Sequence, residues 1–124
     1  MDELLTRYPA LKSCAGEIGK TAEILISGFK AGNKLMLCGN GGSCADCEHI
    51  TGELMKGFLS RRPSSPEKKA EMKKLNPDIG EDVLSKLQLA VPAIPLPSLT
   101  GLNSAFCNDV DPSLVYAQEL MGIG

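Results

Sequence analysis

Lys34-Leu-Met-Leu-Cys-Gly-Asn-Gly-Gly-Ser-Cys-Ala-Asp-Cys-Glu-His-Ile-Thr-Gly-Glu53 changes character twice. Lys34 to Gly39 is a short, continuous apolar run bounded by turn residues, the pattern of a buried parallel strand. Gly39 to Ser43 is a glycine loop. From Cys44 to Phe58 the spacing becomes helical, with Ser43 placed to cap the helix. A glycine turn between a strand and a helix aims backbone N–H groups at one point. The helix N-terminus adds roughly half a positive charge, so the natural guest is an anion, above all a phosphate. A plain tight turn also accounts for the glycines.

The loop is not a Walker A motif, because no Gly-Lys-Ser/Thr ends it. It fails the dinucleotide fingerprint too, because Cys44 stands where the third glycine belongs. On the helix that follows, His49 and Glu53 are four residues apart and project from one face. That spacing suits a shared metal, and it also suits an ordinary hydrogen-bonded pair. His49 is the only histidine, so further zinc ligands would have to come from elsewhere. Glu53 beside a phosphate loop is a competent general base for removing a proton next to a carbonyl. Glu48 points to another face and reads as solvated. The Cys44–Cys47 spacing admits a redox pair or half a zinc site, but no second such pair and no thioredoxin-type context accompanies it.

Towards the N-terminus, a short helix at Asp2 to Thr6 precedes an apolar stripe of Leu11, Cys14, Ile18, Ala22, Leu25 and Phe29. This predicts a helix over Ala10 to Ala31, stopped by Gly32-Asn33. Ile24 and Ile26 widen the stripe, which suits either a subunit interface or a deeper core. Towards the C-terminus, Leu59 to Gln88 reads as an exposed helical insertion, with a turn-rich start, a charged helix from Glu67 to Leu75 and a second helix from Glu81 to Gln88. Its basic residues Arg61, Arg62, Lys68, Lys69, Lys73 and Lys74 are mixed with Glu67 and Glu71, the mark of a solvated face. A second strand at Ala93 to Leu96 is crowded by Pro92, Pro95 and Pro97 and must be short or near an edge. Thr100 to Phe106 is helical, Asn108-Asp109 falls in the next turn, and Pro112 to Met121 is a final helix capped by Asp111. Two strands are too few for a stable sheet covered on both faces, so the 124 residues are expected to be an incomplete single domain.

Composition narrows the function classes. With 43% hydrophobic and 23% charged residues the chain is globular, and with no Trp and 4% aromatics its core is aliphatic. A net charge of −2 with interspersed signs leaves no basic face for nucleic acid. No apolar run approaches a membrane span, and the N-terminus is unlike a signal peptide. An odd count of 5 cysteines argues for a reducing compartment, hence the cytoplasm.

The run from Cys38 through Leu54, with loop, His49 and Glu53 in register, resembles the sugar isomerase (SIS) domain family and, within it, the phosphoheptose isomerases. The resemblance implies an α/β three-layer sandwich with a parallel sheet flanked by helices, and a homotetramer held by N-terminal helices with active sites at subunit interfaces. It implies that Asn40, Gly41, Gly42 and Ser43 form the substrate-binding loop and that Asn108 and Asp109 make a second substrate contact. His49 and Glu53 correspond to two zinc ligands, with Glu53 also the catalytic carboxylate and a substrate contact. The implied reaction converts sedoheptulose 7-phosphate to D-glycero-D-manno-heptose 7-phosphate through an enediol, in heptose synthesis for lipopolysaccharide and related glycans. The family's serine-rich second loop and its C-terminal Gln and His ligands are expected beyond Gly124. Two other readings stand beside the isomerase: a non-catalytic sugar-phosphate-binding or regulatory module, and a fragment inactive alone.

Overall fold

The computed structural model describes residues 1–124, which group into two compact units, Met1–Leu35 and Met36–Gly124.

The first unit holds helix α1 (Asp2–Arg7), a 3-10 segment (Pro9–Cys14) and helix α2 (Ala15–Lys30). Asp2 and Glu3 in its first turn and Arg7 in its last complement the α1 dipole. The single helix expected from Ala10 is two pieces. Pro9 starts a tight 3-10 run, and Cys14, at φ −116° and ψ 16°, breaks the helical path before α2 begins. The C-terminus of α2 is closed where the sequence places it: Gly32 N donates to Phe29 O at 3.1 Å and Asn33 N to Gly28 O at 2.9 Å. Nothing in this unit is buried, and Ile24 and Ile26 are 71% and 53% exposed.

The second unit is an α/β arrangement. Strand β1 (Leu35–Leu37) leads through a loop into helix α3 (Gly42–Met55), and after helices α4 (Pro66–Leu75) and α5 (Glu81–Lys86) the chain forms strand β2 (Ala93–Pro95). The two strands form a small parallel sheet flanked by helices. Helix α3 lies on β2 and on the 3-10 turn Leu96–Ser98 that follows it. Its buried residues, Cys47 and Thr51, are one turn apart, and Ala93 on β2 is buried as well. As the prolines require, β2 is short and passes at once into the 3-10 turn. Helix α6 (Thr100–Asp109), a 3-10 turn (Pro112–Leu114) and helix α7 (Val115–Ile123) complete the chain. The final helix expected from Pro112 is two pieces: Asp111 caps only the 3-10 turn, accepting from Ser113 N at 2.8 Å and from Ser113 Oγ at 2.7 Å, while α7 itself starts after Leu114 with no side-chain cap.

The segment from Leu59 to Gln88 is less exposed than its charge suggests. Pro63 and Gln88 form an antiparallel bridge, Leu89 N donates to Arg62 O at 2.7 Å, and Gly57 N donates to Gln88 Oε1 at 3.1 Å. Leu84 on α5 is completely buried and Ser64 is buried beside the bridge. Helix α4 is capped by Ser65, whose Oγ accepts from Lys68 N at 3.2 Å. An ion pair between Lys73 and Glu81 joins α4 to α5. No helix is long and apolar enough to cross a membrane.

Candidate functional site

The loop between β1 and α3 is built by backbone geometry. Gly41, the residue before the helix, adopts φ 58° and ψ −124°, a region closed to residues with a Cβ. The helix therefore starts at Gly42, and Ser43 lies inside its first turn rather than at its cap. No side chain caps α3 and no acidic residue occupies its first turn, so its positive end is open. Ser43 N and Cys44 N fold back onto the carbonyls of Asn40, at 3.2 Å, and Gly41, at 3.1 Å. The donors left for a ligand are the N–H groups of Gly41 and Gly42, the Ser43 hydroxyl and the Asn40 side chain. Gly39 is held by close approach: a Cβ there would meet Ser43 Cβ at 2.7 Å and Ser43 O at 2.9 Å.

Helix periodicity then separates the core face of α3 from its working face. His49 lies two residues beyond Cys47, roughly 200° around the axis, so burying Cys47 and Thr51 turns His49 and Glu53 outward. Their side chains are 79% and 45% exposed, with His49 Nε2 at 4.0 Å from Glu53 Oε1. Two donors on one zinc ion, each bonded at about 2.0–2.1 Å, stand about 3.3 Å apart in a tetrahedron. Nowhere do three or more His, Cys, Asp or Glu side chains gather in a way that would hold a metal. The residues present thus fit half of a zinc donor set and do not complete one.

Asn108 and Asp109 form the last turn of α6, not the turn after it. Asn108 Nδ2 donates to Asp109 Oδ1 at 2.7 Å, and both are exposed. The residue that reaches the loop from the C-terminal part of the chain is one the sequence did not single out. Tyr116 Oη lies 3.0 Å from Gly39 O and 2.5 Å from Asn40 Oδ1. Burial, with the Cys38 and Cys44 thiols and Glu119 nearby, pushes the Tyr116 hydroxyl above its ordinary range, so it stays protonated and donates. No local pattern marks Tyr116, since its partners lie 76 and 77 residues away.

The Cys44–Cys47 pair has no disulfide, and burial raises the Cys47 thiol, which keeps it in its unreactive protonated form. Glu119, on α7, is 1% exposed, and neither carboxyl oxygen has a hydrogen-bond partner. Burial raises its pKa as well.

Comparison with known proteins finds one family. The SIS domain model matches residues 2–79, more than half of the chain. A phosphoheptose isomerase of Akkermansia muciniphila is 32% identical over 94% of this chain and 48% of its own length. Those of Shewanella piezotolerans and Shewanella pealeana are 26% and 25% identical, each over 99% of this chain and 49% of their own length. The chain thus spans about half the length of the curated relatives it matches. No solved structure matches it. The strand, loop and helix with His49 and Glu53 lie within the matched residues, and the chain belongs to the SIS domain family.

Proposed function

We propose that the protein is a sugar-phosphate aldose–ketose isomerase, with sedoheptulose 7-phosphate as substrate and D-glycero-D-manno-heptose 7-phosphate as product. The observation that carries this reading is the outward-facing pair His49 and Glu53 on the helix whose open N-terminus forms the Gly39–Ser43 loop. The names of the relatives support the same substrate class. In this reading Asn40, Gly41, Gly42 and Ser43 bind the substrate, with Asn108 and Asp109 as a second contact. Glu53 takes a proton from the carbon next to the carbonyl and returns it to the neighbouring carbon, and the electron pair passes through an enediol. His49 and Glu53 supply two zinc ligands, and a zinc ion held there would polarise the substrate carbonyl. The working protein is a cytoplasmic homotetramer, with the exposed Ile24 and Ile26 of α2 in its interface and residues 59–88 as an insertion in a single SIS domain.

Replacing Glu53 with Gln in the protein at its full natural length tests the chemistry. The expected result is a loss of turnover of about 100-fold or more with the thermal transition unchanged. Undiminished turnover would overturn the isomerase. The alternative is a non-catalytic sugar-phosphate-binding module, for which the open N-terminus of α3 suffices without His49 or Glu53. It predicts saturable sugar-phosphate binding with no product formed.

A further inference from the structure

The two hydrogen bonds of Tyr116 to the loop are the side-chain hydrogen bonds that span the most sequence in the chain, and both end on one short segment, Gly39 and Asn40. The element that carries Tyr116 is itself fixed. Asp111 caps the turn through Ser113, Pro112 fixes the backbone, and Tyr116 follows as the second residue of α7. A phenol has one proton to give and here meets two acceptors, the Gly39 carbonyl and the Asn40 side-chain oxygen. The carboxamide is thus held by its oxygen. Its two N–H donors stand on the other side, and Asn40 itself is exposed. The Gly39 carbonyl is the second acceptor within reach of the same hydroxyl, and no side chain caps the helix that Gly41 and Gly42 open.

We propose that Tyr116 is a positioning residue for the substrate loop. Its hydroxyl orients Asn40 so that the amide N–H groups, together with those of Gly41 and Gly42, face an oxygen-rich ligand. This rests on the reading of Gly39–Ser43 as the substrate loop and adds to it the residue that sets the polarity of the loop. Selectivity follows from that polarity: the mouth favours phosphate or carbonyl oxygens and discriminates against ligand groups that can only donate.

The test is a set of variants in the full-length protein, Tyr116→Phe, Asn40→Ala, Asn40→Asp and the Tyr116→Phe/Asn40→Ala double variant. Calorimetry measures sedoheptulose 7-phosphate affinity, and 15N NMR follows the Asn40 side-chain amide. Tyr116→Phe keeps the ring and removes only the hydroxyl. The expected loss is about 5- to 10-fold, the size of one hydrogen bond. The double variant should bind no worse than Asn40→Ala, because the two groups act as a unit. Asn40→Asp, which keeps the acceptor for Tyr116 but removes the outward donors, should bind at least as poorly as Asn40→Ala. Wild-type affinity in Tyr116→Phe, multiplying losses in the double variant, or wild-type affinity in Asn40→Asp would each overturn the proposal. Absence of binding in the wild type would sink the substrate-loop reading instead. The NMR arm then decides the Tyr116 tie alone: a dispersed amide pair that collapses in Tyr116→Phe upholds it, and unchanged resonances overturn it.

Discussion

Arg62 Nη2 donates to the Leu54 carbonyl at 2.6 Å and reaches the Glu53 carbonyl at 3.3 Å, so the last turn of α3 is closed by a side chain from the segment that follows it. A cation at a helix C-terminus satisfies orphan carbonyls and complements the dipole at the same time. The backbone under Glu53 is thereby fixed by a residue outside the helix. Arg62→Ala should cost about 1.5 kcal/mol in urea denaturation, the low end for hydrogen bonds from charged groups because the site is half-buried. It should also speed hydrogen exchange in the last turn of α3.

The glycine loop should be selective about which glycine it can lose. Gly39→Ala places a Cβ against the Ser43 backbone, so the loop must open, whereas nothing lies within 4 Å of a Cβ at Gly42. Sugar-phosphate titrations should show affinity abolished in Gly39→Ala and kept within about 3-fold in Gly42→Ala, where alanine is the better helix former.

Leu84 anchors α5 from a position with no exposed surface. Leu84→Ala should destabilise the protein by about 2–5 kcal/mol, read from the denaturant midpoint. An exposed neighbour on the same helix, Val83→Ala, should change it by less than about 0.5 kcal/mol.

Glu119 should give the protein an acid-stabilised component. Its folded pKa is raised by burial, so the folded state binds more protons than the unfolded state above the ordinary carboxylate pKa of about 4.3. Its contribution is fully present below that pH and is lost as pH rises through the folded value. Exposed carboxylates such as Glu71 and Glu81, whose pKa values are lowered, act in the opposite direction. The difference in melting temperature between wild type and Glu119→Gln isolates the effect. Glu119→Gln should gain stability relative to wild type as pH rises, and the difference should vanish near pH 4.

Where the signal is local, the sequence carries it. The apolar run from Leu35, the glycines after it and the α2 stop at Gly32-Asn33 each depend on a few adjacent residues, and each is found in place. Ser43 was expected as a cap because the residue type fits, but Gly41 reaches a backbone conformation that starts the helix earlier. Arg62 reads as one more solvated cation, because its carbonyl partners lie 8 and 9 residues back in the chain. Tyr116 and Glu119 are invisible to periodicity for the same reason in stronger form. What defines them is a contact across the fold or burial by it, and neither leaves a trace in their own neighbourhood.

The antiparallel bridge between Pro63 and Gln88 brings the two ends of the intervening helical segment side by side. The polypeptide leaves and rejoins the rest of its unit at one place. For an engineer, the exposed turn at residues 76–78, between α4 and α5 and away from the bridge, is the natural place to carry a peptide tag or small reporter domain.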